Sequence, residues 1–309
     1  MRTSTTLAVY TAGLVAVFGA ALGVGAAIGS PTDMSTTSHS TESHSSSGSH
    51  STHQSMPGVN AAAPAGLEIS ARGYTLDEIR APGRAAEPGT LSFRILDADN
   101  APVRHFDTLH EKKLHLIVVR SDTSQFRHVH PALADDGTWS IDWAWPTAGT
   151  YRVFADFAPT DGNQLTLGRN VDVAGELEPA PLPLQSTAST VDGYTVTLHG
   201  DLSVAGGPLT LSVARDGAPV TDLDPYLGAY GHLVALRTGD LAYLHVHPEG
   251  EPGDGVTAAG PDISFHAQAP SEGTYRLFLD FQHRGVVHTA EFTVPATTTA
   301  PSEKHDGGH

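Results

Sequence analysis

Two histidines one residue apart, closed by a proline, stand at His128 and His130 in "FRHVHP", and the pattern returns 117 positions later as His245 and His247 in "YLHVHP". A third histidine precedes each pair by 13 residues, His115 in the first case and His232 in the second. Neutral imidazole is a good donor for Cu(II), Zn(II) and Ni(II), and three of them with a further position open to water is a recurrent metal arrangement. The chain has no cysteine and three methionines, so thiolate sites, disulfides, thioether haem attachment and a cysteine lipid anchor are excluded. Soft-metal chemistry therefore falls to histidine. A formal charge of −17 argues against nucleic acid or anionic lipid as partner, since both demand basic patches, and makes cations the natural guests.

The elements that would position these histidines are strands. In the first copy apolar runs fall near 67–76, 90–97, 113–120, 125–130, 138–145, 150–157 and 165–173, bounded by Gly, Pro, Asp and Asn. The short turns "RSDTSQ" and "RTGDLA" join the third and fourth strands as hairpins. Pairing Val119 with Phe126 sets Ile117 against His128 and His115 against His130; in the second copy Leu236 faces Tyr243, Val234 faces His245 and His232 faces His247. Alternate residues of a strand share a face, and so do partners across a hairpin. Each trio thus converges on one face. Arg120 and Arg127 lie opposite, as do Arg152 and Asp156 relative to the aromatic side of "YRVFADF", so the histidines are expected to point inward at one rim of the sandwich. Asp156 and Asp280 are expected as surface partners of arginines. The strand ending in "DFQHRGVVHT" adds His283 and His288 as further ligands of the second site, while His105 and His110 enter the first from the same rim. The alternative for all of these is structural: semi-buried histidines that bond backbone carbonyls and pin the hairpin. The duplication does not decide between them, because it copies both kinds of residue.

The repeat extends well beyond the histidines. "GYTL" returns as "GYTV", "TLSFRILDADNAPV" as "LTLSVARDGAPV", and "AGTYRVFADF" as "EGTYRLFLDF". A period this long is a duplicated domain, giving repeat 1 over 67–175, a Pro-rich linker over 176–187 and repeat 2 over 188–295. Seven short strands per copy, with no helical periodicity, predict an all-β protein of two tandem immunoglobulin- or fibronectin-III-like sandwiches, with a cupredoxin-like sandwich as the alternative.

Before the repeats, Leu7 to Ile28 runs uncharged behind Arg2, long enough to span a bilayer, so residues 1–30 are read as a signal anchor or a cleaved signal peptide. The charge bias leaves the remainder outside the cytoplasm. Residues 31–66 are rich in Ser, Thr and His, with His39, His44, His50 and His53, and suit a flexible tether that gathers metal loosely. The 296–309 tail, with His305 and His309, has the same character.

The strand "HLIVV", a short turn, "HVHP" and "GTYRVFADF" resemble a group of bacterial envelope proteins with immunoglobulin-like domains found with heavy-metal and copper handling systems. The resemblance covers both repeats but not the tether. It implies extracytoplasmic handling of a metal ion, most of all copper, with His115, His128, His130, His232, His245 and His247 as the matching positions. An envelope metal transporter or a cell-surface protein is the implied partner. The lack of Met-rich tracts favours copper(II) or zinc(II) over Cu(I). A metal-free cell-surface interaction or scaffold protein is the alternative. No enzyme is expected: a superficial likeness of "HVH" to copper–zinc superoxide dismutase lacks that family's bridging histidine, zinc loop and cysteines, and no Gly-x-Ser-x-Gly elbow or phosphate-binding Gly loop is present.

Overall fold

The apolar runs become strands because β-branched and aromatic side chains fit a pleated surface, while Gly, Asn and Asp supply left-handed turns between them. The computed structural model describes residues 63–298, all within the unit Asn60–His309. The candidate membrane segment, the histidines of the tether and tail, and the side chains of His245 and His247 lie outside the described residues.

The first repeat comprises β1 (Ser70–Ala71), β2 (Tyr74–Leu76), β3 (Gly89–Leu96), β4 (Leu114–Arg120), β5 (Arg127–Val129), β6 (Ala132–Leu133), β7 (Thr138–Trp143), β8 (Gly149–Phe157) and β9 (Leu165–Val173). The run expected as one strand over 67–76 is a hairpin, because Arg72 and Gly73 both take positive φ, 52° and 83°, the geometry of a two-residue hairpin turn. The sheet β1-β2-β3-β7-β6 packs on the sheet β5-β4-β8-β9. Their shared core holds Leu91, Phe93, Trp139 and Trp143 against Leu116, Val118, Tyr151, Val153 and Phe157.

The second repeat comprises β10 (Ala188–Val191), β11 (Tyr194–His199), β12 (Leu202–Ser203), β13 (Gly207–Arg215), β14 (Ala218–Pro219), β15 (His232–Arg237), β16 (Tyr243–Pro248), β17 (Asp262–Ala267), β18 (Gly273–His283) and β19 (Val286–Thr297). Nine of its strands form one path, β10-β11-β13-β17-β16-β15-β18-β19-β12, and β14 pairs beside it with β13. β16 makes the corner: it pairs with β15 from Tyr243 to Val246 and then with β17 at His247 and Pro248, as a strand that switches sheets does. The chain is thus two tandem immunoglobulin/fibronectin-III-like β-sandwiches. No helix among the described residues is long and apolar enough to cross a membrane.

A third apolar cluster joins the repeats. Ile117, Val119 and Phe154 of the first pack on Val234, Leu236, Leu241, Tyr243 and Phe278 of the second. The rings of Phe126 and Phe278 stack with centroids 4.0 Å apart and planes at 4°. This explains why every residue of β4 is buried: Leu114, Leu116 and Val118 face their own sandwich, and the alternate residues face the other repeat. The histidine side of the hairpin is therefore the face between the repeats, and not the inside of a sandwich as the charge pattern had suggested. Arg120, taken as the solvent marker, is only 3% exposed. It binds the Asp122 carboxylate, the Thr147 hydroxyl and the carbonyls of Ala148 and Glu178 at the sandwich end. Arg127 lies over the Trp143 ring at 4.0 Å.

The chain enters this seam at its start. The Ala65 carbonyl accepts the Tyr243 N–H of the second repeat, and the Gly66 N–H donates to the Thr166 carbonyl of the first. Gly66 has φ +75°, and a Cβ there would sit 2.6 Å from the Phe154 ring and 2.9 Å from Tyr243, so glycine is required on both conformational and steric grounds.

Candidate functional site

Register places the site. Ile117 pairs with His128 across the β4–β5 hairpin, and Val234 with His245 and Leu236 with Tyr243 across β15–β16, as the sequence predicts, whereas His247, expected opposite His232, pairs with His266 of β17. On the other edge His115 lies opposite Asp156, and His232 opposite Asp280. Between β4 and β5, Thr123 and Gln125 take positive φ. Asp122 closes the turn by accepting the backbone N–H and hydroxyl of Ser124. Pro131 follows His130 directly and, lacking an N–H, ends the pairing there.

The first trio converges tightly. His115 Nδ1 lies 2.9 Å from His128 Nε2 and 3.1 Å from His130 Nε2, and one nitrogen from each ring falls within 4.8 Å of the others. The second nitrogens fix the tautomers. His115 Nε2 is 3.0 Å from the Leu109 carbonyl, which can only accept, so the proton of neutral His115 is on Nε2. His128 Nδ1 is 2.9 Å from the Asp280 carboxylate, so its proton is on Nδ1. Neutral His115 Nδ1 and His128 Nε2 therefore face each other with lone pairs and no hydrogen between them. Such a contact repels unless a cation, or a hydrogen donated to His115 Nδ1 by His130 Nε2 at 3.1 Å, sits among the nitrogens.

A small cavity of about 20 Å³ adjoins the trio, lined by His110, His115, His128, Asp156, His232 and Tyr243 among others; it has room for one water or ion. His110 and His232 approach with ring centroids 5.3 Å apart. His232 repeats the tautomer of His115, since its Nε2 lies 2.9 Å from the Tyr226 carbonyl, again six residues upstream. Burial, reinforced by repulsion from His128, lowers His115 from 6.5 to about 4 and His232 to about 3; the same causes lower His130 to about 2. These rings stay neutral, the state in which imidazole ligates.

The two aspartates are not surface partners of arginines. Asp156 is fully buried and Asp280 is 3% exposed. Asp280 holds His128 and accepts the Thr289 hydroxyl at 2.6 Å, and Asp156 accepts from the Thr166 hydroxyl and the Gln164 amide. Both belong to the face between the repeats because they lie opposite histidines in register. That pairing was readable from the strands once the outer face was known to be covered.

His283 and His288 are placed elsewhere. Strand parity decides it: Leu279, Phe281 and His283 of β18 point into the second sandwich, whereas Phe278 and Asp280 point to the other repeat. His288 pairs with Phe281 and shares its side. His283 Nδ1 accepts the Tyr194 hydroxyl at 2.8 Å and its Nε2 donates to Asp222 at 3.1 Å; His288 Nδ1 donates to Asp192 at 2.8 Å. Neither lies on the face that carries His232, the member of the second set whose side chain is described. His105 supplies a backbone carbonyl to Thr160, while His110 does come to the site.

The chain belongs to the family described as "Domain of unknown function (DUF8832)", whose model matches twice, at residues 70–175 and 189–298. No curated protein matches. Solved structures with a similar arrangement include domains 4 and 5 of the S-layer protein SbsC, at 11% identity over 75% of this chain and 100% of that one, TM-score 0.21. The fibronectin(III)-like modules of Clostridium thermocellum CbhA match at 11% identity, covering 76% and 99%, TM-score 0.19. A putative membrane anchored protein from Corynebacterium diphtheriae matches at 9% identity, covering 74% of this chain and 60% of that one, TM-score 0.23. At these scores the sandwich architecture rests on the strand pairing above, and none of the three assigns a ligand or a partner.

Proposed function

We propose that the protein is an extracytoplasmic, membrane-anchored binder of divalent copper or zinc, serving buffering, carriage or sensing rather than catalysis. The observation that carries the reading is the convergence of His115 Nδ1, His128 Nε2 and His130 Nε2, with His115 and His128 held through their other nitrogens by the Leu109 carbonyl and the Asp280 carboxylate. A tetrahedral ion at about 2.0–2.1 Å from each nitrogen needs them about 3.3 Å apart, so the two pairs that His115 makes, at 2.9 and 3.1 Å, have to open by only a few tenths of an ångström. His232, His245 and His247 are proposed as the second set, and the His-bearing tether and tail as weak collectors. The leading apolar segment supports the anchor, and the resemblance to envelope metal-handling proteins supports copper and a transporter or cell-surface partner.

One rival reading draws on the same contact. A proton shared between His128 and His115, with Asp280 balancing its charge, would make the cluster a metal-free clasp in a surface scaffold. Calorimetry with Zn(II) or Cu(II) separates them, using the full chain with the six tether and tail histidines replaced by Ala. The expected result is two tight equivalents, one lost in His128→Ala/His130→Ala and the other in His245→Ala/His247→Ala, each with at least a 100-fold loss of affinity. Cation should also raise the unfolding midpoint as its excess grows. No tight binding to the parent, or full binding by the fourfold variant, leaves the clasp.

Without cation, the pH dependence follows from the lowered histidines. The unfolded chain takes up protons first, so the stability that neutral burial allows is complete above 6.5. It is lost progressively as pH falls from there toward about 4 for His115, and further toward about 3 for His232. Urea unfolding across that range checks it, and His115→Phe should flatten its upper part.

A further inference from the structure

The cation site of the first repeat is held by a residue of the second. We propose that Asp280 is its positioning residue, so that the divalent cation is bound by the docked pair of repeats and couples their docking to metal loading. This rests on the metal-binding reading above. Both Asp280 oxygens are committed: Oδ1 accepts the Thr289 hydroxyl of its own repeat at 2.6 Å, and Oδ2 accepts His128 Nδ1–H across the seam at 2.9 Å. The hydroxyl fixes the carboxylate, and the carboxylate fixes the proton on Nδ1.

The consequence lies in what His128 would do otherwise. Released from Asp280, its neutral ring can carry the proton on Nε2 and donate it to His115 Nδ1, already 2.9 Å away. Two ligands would then satisfy each other and the site would close. Asp280 prevents this and leaves both lone pairs for an ion. A carboxylate behind a ligating histidine also raises its basicity, and loss of such a partner typically weakens metal affinity about 10–100-fold. Because donor and acceptor come from different repeats, an ion that tightens on His128 also tightens the seam beside Phe126 and Phe278.

The test uses the full-length protein and Zn(II) alone. Asp280→Asn should bind about 10–100-fold more weakly at the first site. Imidazole ¹⁵N NMR of the metal-free variant should show the His128 proton moved from Nδ1 to Nε2. Thr289→Val, which keeps the carboxylate and removes only its hydroxyl anchor, should weaken binding by a smaller factor and serves if the first variant folds poorly. Asp280→Glu should recover part of the affinity. A parent chain that binds no Zn(II) overturns the metal reading and this inference with it. A parent that binds, alongside an Asp280→Asn or Thr289→Val chain that binds equally well with Nδ1 protonated, overturns the inference alone. Lower stability with unchanged tautomer and affinity also overturns it, leaving Asp280 merely structural.

Discussion

The two sides of β18 carry the same kinds of residue into opposite circumstances. On the side facing its own sandwich, His283 has a partner on each nitrogen: Arg215 donates to the Tyr194 hydroxyl, that hydroxyl donates to Nδ1, and Nε2–H donates to Asp222. Both His283 nitrogens and the Tyr194 hydroxyl are matched donor to acceptor, so the group is complete without an ion. On the side facing the other repeat, Asp280 orients His128 so that a lone pair meets a lone pair. Burial and histidine content do not distinguish the two clusters. What separates them is whether the protons suffice.

The contrast can be broken most strongly at Phe278, on the outward side and fully buried against Phe126. Phe278→Ala should cost about 3–5 kcal/mol in urea unfolding and, by loosening the seam, also weaken Zn(II) binding. Retained affinity would mean that the site needs only one repeat. A smaller effect is expected on the inward side. His283→Ala leaves the buried Tyr194 hydroxyl without its acceptor and should cost about 1–3 kcal/mol, with Zn(II) affinity within twofold of the parent; a large loss of affinity would show that the two sides communicate. The smallest change is Asp222→Asn. Its side chain is 73% exposed, so stability should stay within about 0.5 kcal/mol by the same measurement.

Much of this was legible in the strands. The hairpin registers follow from turn length and alternation, and Ile117 with His128 and Val234 with His245 pair as read. The face was not legible. Alternation identifies two sides of a strand but cannot rank them when both are apolar, and "LHLIVVR" is apolar on both. Arg120 reads in the sequence as a solvent marker, yet its guanidinium is taken up by Asp122, Thr147 and backbone carbonyls at the end of the sandwich. That single misassignment carried Asp156 and Asp280 to the surface and drew His283 and His288 toward the trio. Contact between the repeats has no local signature, because Ile117, Val119, Phe154 and Phe278 look like ordinary core residues in each copy taken alone.

Ala65 and Gly66 stitch the start of the described chain into both repeats, one bond to Tyr243 and one to Thr166. A pull applied to the chain ahead of Ala65 would therefore load the seam first. Tension arriving along the chain would strain both repeats at once before it could peel a strand from either sandwich, so the joint that holds the histidines is also the joint that a pull would test first.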